Sequence, residues 1–370
     1  MTDDDTHLNV PKNENGYEKT INFLKKKGIK LIGITYSKAE RHFFPTEEAY
    51  ISEQEVFERA QVLEKILQNM GFETKLYPGD EKLFQHLSND QPDLILNLVD
   101  TVRGLEFLGT CIPASLDLTQ IPYTGSGMYA FILSANKALM KEILIENNIP
   151  TPQYQLVKRV REPLSKRLRF PLITKLNNYN GGVGLTNDAV SDNEKHLRKR
   201  LSYLFKTYKS PVIIEEFIDG RELSVIIVEG DKKSVYIGEK VFAPTKKRKY
   251  NFCSFDATWI EENAYYYKKF DRPKDRRLAR KVSHLAKKAF DLLEMADYAK
   301  FDVRVNKRGK PYFIDCNPNP ALGPAECDCA IGNITKMYGV PFKYILVSAA
   351  PPSALPSALG ALKALSTGGG

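Results

Sequence analysis

The segment Lys300 to Leu322, KFDVRVNKRGKPYFIDCNPNPAL, holds two acids at equal distance from one turn. A symmetric hairpin turning at Lys307-Arg308-Gly309-Lys310 sets Asp302 opposite Asp315 on one face. Cross-strand Cβ atoms lie only about 4.5–5.5 Å apart, so like charges there repel. A divalent cation between the acids removes the repulsion, and Asn317, two residues past Asp315, adds a neutral oxygen on the same face. This all-oxygen set suits Mg2+, with Mn2+ as the alternative, and Mg2+ usually completes its shell from water and phosphates. Spacing alone is equally satisfied by acids that splay into solvent.

Two other segments carry groups that suit a nucleotide. In KLNNYNGGVGL (Lys175 to Leu185) a lysine ends a strand and a loop with Gly181, Gly182 and Gly184 follows. Such glycines let backbone N–H groups approach phosphate oxygens, while a lysine supplies a point charge. The loop lacks the GK[ST] of a P-loop, no Rossmann fingerprint follows the first strand, and an ordinary hairpin turn has the same composition. In EEFIDGRE (Glu215 to Glu222) an apolar strand meets acids at a turn. Carboxylates there can hold a ribose diol, and a strand edge can offer backbone groups to a purine; a charged turn is the plainer account.

These segments need elements to hold them. KLIGITYS (Lys30 to Ser37) reads as a buried strand, SEQEVFERAQVLEKILQNMGF (Ser52 to Phe72) as an amphipathic helix capped by its serine, and ETKLYP and DLILNLVD (Asp93 to Asp100) as further strands. Strand, helix, strand in this order predicts a parallel α/β lobe. A helix over Ala135 to Pro150, β-rich stretches around PLITKL and PVIIEEFIDGRELSVIIVEG, a basic loop and a long helix over Arg277 to Met295 come next.

A chain of 370 residues with 42% hydrophobic and 27% charged residues is expected to form two or three globular lobes. No apolar run reaches the length of a membrane span, and the polar, acidic start lacks signal-peptide character, so a cytoplasmic location is expected. Five cysteines, an odd number without a framework, fit a reducing compartment, and ECDC is too tightly spaced for zinc. The net charge of +9 suits polyanionic ligands, yet the basic clusters lack the interleaved aromatics of a nucleic-acid binder. The last twenty residues, PPSALPSALGALKALSTGGG, contain one charge and read as an appendage, either linker or docking peptide.

Glycine loop, then EEFIDGRE, then DVRV and FIDCNPNP, in this order, resembles the ATP-grasp enzymes, and within them the D-alanine–D-alanine ligases; IPYTGSGMYAFILSANKALMKEILIENNIPTPQY (Ile121 to Tyr154) is similar to the corresponding family stretch. The likeness covers roughly Lys30 to Leu322. It implies an α/β fold of three lobes: a polar leader over 1–20, an amino-terminal α/β lobe over 21–130, a central lobe over 131–217, a carboxyl-terminal lobe over 218–349, and the tail over 350–370. ATP would be clamped between the last two lobes. Residue by residue, the resemblance makes Lys137, Lys175 and the loop glycines Gly181, Gly182 and Gly184 phosphate contacts, Glu215, Glu216, Phe217 and Ile218 the adenine site, Glu222 the ribose partner, and Asp302, Asp315 and Asn317 the ligands of Mg2+ or Mn2+. The implied reaction activates a carboxylate as an acyl phosphate and joins it to an amine.

The amino-acid half departs from the family. A serine that orients the first substrate is replaced by Gly181, and a second usual serine by Gly182. A lysine and tyrosine of the following loop align with Thr258 and Trp259, and an arginine two residues before the first metal acid becomes Lys300, a charge without a bidentate fork. The glutamate that binds the substrate amino group falls at Glu53 or at Glu40. The resemblance therefore implies a small amino-acid or peptide substrate other than a pair of D-alanines, with the basic run Lys246 to Lys249 as a source of replacement charge; the alternatives are a genuine D-alanine–D-alanine ligase and a non-catalytic nucleotide-binding scaffold. Family habit suggests a homodimer.

Overall fold

The computed structural model describes residues 14–230, 232–242, 249–255 and 269–348. Leu31–Tyr36 (β1) is buried along its middle, as expected for a strand covered on both faces. It pairs in parallel with Glu73–Pro78 (β2) and Leu94–Leu98 (β3), and β3 pairs in parallel with Tyr123–Thr124 (β4), giving the order β2-β1-β3-β4. The chain crosses between β1 and β2 through the helix Glu47–Asn69 (α2). Thr46, not Ser52, starts that helix: the Thr46 hydroxyl accepts from Ala49 N at 3.2 Å, and Glu47 and Glu48 occupy the first turn, where acids complement the helix dipole. Ser52 lies within the helix, and its hydroxyl donates to Ala49 O at 3.0 Å.

The expected polar leader is partly helical, over Glu14–Lys26 (α1). Tyr17, Ile21 and Leu24 fall one helical turn apart and pack on the main core, Tyr17 lying 5.2 Å from Tyr344 between ring centroids. Tyr344 belongs to the last described helix, Phe342–Ser348, so the two ends of the described chain meet.

The helix Lys137–Glu146 leads into the second sheet and is capped by Asn136, whose side chain accepts from Leu139 N at 3.1 Å. That sheet is antiparallel, built from Tyr154–Val157 (β5), Leu172–Leu176 (β6), Val190–Ser191 (β7) and Val212–Glu216 (β8) in the order β5-β8-β6-β7. The third sheet is also antiparallel: Gly220–Val228 (β9), Ser234–Val241 (β10), Lys269–Asp271 (β11), Tyr298–Asn306 (β12) and Pro311–Asn317 (β13), ordered β11-β10-β9-β12-β13. Along β12, Phe301, Val303 and Val305 join an apolar core with the helix Arg276–Leu292, while Lys300, Asp302 and Arg304 point the other way. The period-two alternation of KFDVRV thus divides core from cleft.

The hairpin places Asp302 and Asp315 as register partners, though by a different route than symmetry about Lys307–Lys310. Near the turn the pairing is Val305 to Pro311 and Val303 to Phe313, one residue out from a symmetric hairpin, and the register shifts between Asp302 and Val303 to bring Asp302 level with Asp315. A bulge at Ile314 supplies that extra residue. Among the described residues no helix is long and apolar enough to cross a membrane. The tail beyond 348, Ala257-Thr258-Trp259 and Lys246, Lys247 and Arg248 lie outside the described residues.

Candidate active site

A cleft of about 550 Å³ opens where the three sheets converge, lined from α2, the glycine loop, β8, β9, β12 and β13. Its inner end is built from ion pairs. Glu222 is 3% exposed and faces Arg304, its register partner on β12. Arg304 Nη1 donates to Glu222 Oε2 at 2.8 Å, and Lys240 Nζ donates to Oε1 at 2.7 Å. These cations hold the Glu222 carboxyl below its ordinary range against the effect of burial. Glu215, 1% exposed, lies between Lys175 Nζ at 3.1 Å and Lys141 Nζ at 3.3 Å and is likewise held low.

The two hairpin acids are also held ionised by the chain itself. Asp302 accepts from Ser224 Oγ at 2.7 Å and Lys300 Nζ at 2.6 Å, with Lys240 Nζ at 3.5 Å; burial opposes ionisation, but Lys240 and Lys300 push its pKa far below the usual carboxylate range. Asp315 accepts from Lys137 Nζ at 3.1 Å and is lowered by Lys137 and Lys175. Lysines therefore offset the cross-strand repulsion that the spacing predicts, so a metal is not the sole remedy for it. Lys300, expected at the reacting centre as a charge without a bidentate fork, is committed to Asp302.

Beside these charges lies an apolar slot of Ile173, Phe217 and Phe252, with Phe217 and Phe252 edge to face at 6.0 Å. Phe217 N donates to Pro171 O at 2.9 Å and Glu216 Oε1 accepts from Arg169 N at 2.9 Å, while Ile218 O accepts from Arg304 Nε at 2.9 Å. The slot is flanked by Lys175 and Glu215, so a flat aromatic group and a phosphate chain would meet complementary surfaces in sequence.

The glycine loop borders the other side. Gly181, Gly182 and Gly184 have φ of +63°, +72° and +69°, which favours glycine over any residue with a Cβ. A Cβ on Gly181 would stand 3.2 Å from Ser52 Cβ, so helix α2 fills the space a loop side chain would use. Asn180 N donates to Glu106, and Asn180 Oδ1 accepts from Lys137 Nζ at 3.0 Å, which ties the loop to both ends of the cleft.

The outer end is acidic. Glu53, 6% exposed, lines it from α2, with Asp100 just after β3 and Glu106 on the short helix Glu106–Gly109. Burial raises all three carboxyls, Glu53 well above its usual range, Asp100 to about 7 and Glu106 to about 8. Glu40, the alternative to Glu53, is instead on the surface, paired with Lys38 at 2.9 Å, and does not line the cleft. The sequence reading overlooked Asp100, Glu106, Lys141, Lys240 and Arg304. Lys141 follows Lys137 by one helical turn and Arg304 follows Asp302 by one strand period, so both had a signal; Asp100 and Lys240 had none.

Antiparallel sheets closing on a cleft rich in lysine and acid, behind a parallel α/β lobe, define an ATP-grasp ligase. The chain belongs to the D-alanine–D-alanine ligase family: residues 143–347, more than half of its length, match the family model described as D-ala D-ala ligase C-terminus. It is 28% identical over 274 residues to a D-alanine–D-alanine ligase of Aquifex aeolicus, covering 73% of this chain and 87% of that protein. It is 25% identical over 270 residues to the uncharacterized protein y4sG of Sinorhizobium fredii, covering 69% and 76% respectively. A crystal structure of Bacillus anthracis D-alanine–D-alanine ligase complexed with ATP superposes with a TM-score of 0.68 at 19% identity, covering 91% of this chain and 99% of that one.

Proposed function

We propose that the chain is an ATP- and Mg2+-dependent carboxylate–amine ligase whose substrates are not two D-alanines. The observation that carries the first part is the paired, ionised Asp302 and Asp315 beside Lys137 and Lys175 at the end of an apolar slot. Asp302, Asp315 and the Asn317 amide, all cleft-lining, fit a hard cation: the donors are oxygen, the acids are kept deprotonated, and phosphates can complete the shell. They would hold Mg2+ or Mn2+, whose charge would offset that of the phosphates. ATP bound there would supply the phosphoryl group that turns a carboxylate into an acyl phosphate, from which an attacking amine displaces phosphate.

The chain's own residues would divide the work. Lys137, Lys175 and the N–H groups at Gly181, Gly182 and Gly184 would neutralise charge on the phosphates, a preorganised electrostatic role. Ile173, Phe217 and Phe252 would cover the base, and Glu215 to Ile218 would border it. Glu222 reaches a ribose only by sharing an oxygen already bonded to Lys240 or Arg304. Lys300, by exchanging Asp302 for a substrate oxygen, would stabilise charge on the reacting carbonyl. Glu53 would take the substrate ammonium.

The departure from a D-alanine pair is supported by Gly181, which brings no hydroxyl to the loop, and by the density of acids around Glu53. Release of ADP and phosphate across a panel of D- and L-amino acids, diamines and short peptides, with mass spectrometry of the products, tests this. An amide product with some pair other than D-alanine is expected. The dipeptide of D-alanine as the sole product would refute the substrate reading and leave the ligase reading intact.

A further inference from the structure

We propose that the acidic end of the cleft selects a substrate carrying two positive charges, a basic α-amino acid, over a neutral amino acid of equal size. This rests on the ligase reading above and names its substrate class. Glu53, Asp100 and Glu106 converge there from three separate elements; beyond the effect of burial, Asp100 and Glu106 push the Glu53 carboxyl up and Asp100 pushes up that of Glu106. Two cations act on the cluster, Arg59 and Lys137, and both are already engaged: Arg59 Nη1 donates to Glu55 at 2.5 Å and Lys137 Nζ to Asp315 at 3.1 Å. Asp100 keeps one partner, the Asn319 amide at 3.1 Å, and Glu106 accepts from Asn180 N.

Glu53 Oε2 and Glu106 Oε2 are buried with no hydrogen-bond partner, and Glu53 is more than nine-tenths buried. Buried carboxylate oxygens without partners are costly, so they point to donors that a ligand brings. One ammonium answers one of these two oxygens; the other calls for a second donor. The far end of the same cleft carries Lys175, Lys240 and Lys300, so the lining passes from carboxyl groups to lysines along its length. A basic α-amino acid, with its carboxylate turned to the lysines, carries a second ammonium several bonds beyond the α-ammonium and so brings donors to both unpartnered oxygens. Arg59 Nε, also unpartnered and buried, can donate to a carbonyl oxygen of such a molecule.

The test is calorimetric binding to the full chain, with a non-hydrolysable ATP analogue and Mg2+ present, of lysine and ornithine against norleucine, each in both D and L forms. Lysine or ornithine of one hand is expected to bind at least about tenfold tighter than norleucine, as for one charge-assisted contact. Binding near pH 7 should also release protons, seen as a dependence of the heat on buffer ionisation, because a cation drives the raised carboxyls to ionise. Asp100→Asn should lower the ratio of lysine to norleucine affinity toward one, and Glu106→Gln gives a second variant should the first fail to fold. Equal affinity for lysine and norleucine, no binding by either basic amino acid, or discrimination that survives both variants would overturn the proposal. Selective binding without any ADP release would leave it standing and count against the ligase reading instead.

Discussion

Asp302 and Asp315 face each other across the β12–β13 hairpin, and each is neutralised from a different direction: Asp302 by Lys300 and Lys240 of its own sheet, Asp315 by Lys137 from the start of a helix. The inner end of the cleft is thus a lattice of alternating charge rather than an acidic pair awaiting a cation. A phosphate chain entering it would meet lysines that can exchange acid for phosphate, and acids that can exchange lysine for metal.

Removing one acid from that lattice should be felt in stability. Glu222→Ala leaves Lys240 and Arg304 without their common carboxylate in a site under a tenth exposed. A loss of about 3 kcal/mol is expected, the low end for breaking a buried pair, because Lys240 keeps Asp302 and Arg304 keeps backbone carbonyls. Glu222→Gln, which retains an acceptor, should cost less. Urea unfolding of the three proteins measures both.

The outer carboxyls predict a pH dependence of opposite sign to ordinary acid unfolding. Asp100 at about 7 and Glu106 at about 8 lie above their unfolded values near 4, so the folded chain holds these protons more strongly. Their contribution is full below about pH 4 and is lost as pH rises through 7 and 8. Asp302, Asp315, Glu215 and Glu222 are shifted the other way and act at lower pH. The melting temperature of the ligand-free chain should therefore fall between pH 6 and 8.5. Asp100→Asn combined with Glu106→Gln should flatten that slope.

Gly181→Ser would restore the hydroxyl of the family pattern, yet it should not restore D-alanine ligation. At φ +63° a side chain costs about 1–2 kcal/mol, and its Cβ would press on Ser52. Gly181→Ala carries the same backbone cost without the hydroxyl. D-alanine-dependent ADP release should be equally low in both; a clear gain in the serine variant alone would mean that the hydroxyl was the missing group.

These expectations differ in how far the sequence discloses them. The spacing of Asp302 and Asp315 points to their opposition without the register shift that produces it, and the polar face Lys300, Asp302, Arg304 is written in the alternation of β12. The bulge that sets the register is not, since one extra residue leaves the hydrophobic pattern on both sides intact. Thr46, preceded by proline and followed by two glutamates, has the composition of a helix start, but Ser52 before a longer apolar repeat competes with it. Glu53, Asp100 and Glu106 meet only because a long helix, a parallel strand end and a short helix converge in three dimensions, and no local pattern reports that. Lys240 reads as one more basic residue until β10 brings it to Glu222.

The account depends most on the hairpin acids holding a metal against bound phosphates. The direct measurement is calorimetric titration of a non-hydrolysable ATP analogue into the full chain, with and without Mg2+, for the wild type and for Asp302→Asn/Asp315→Asn with unchanged circular dichroism. Mg2+ should tighten wild-type binding by more than about tenfold, some 1.4 kcal/mol, and should have no effect on the double variant. An equal Mg2+-dependent gain in both proteins would contradict the account.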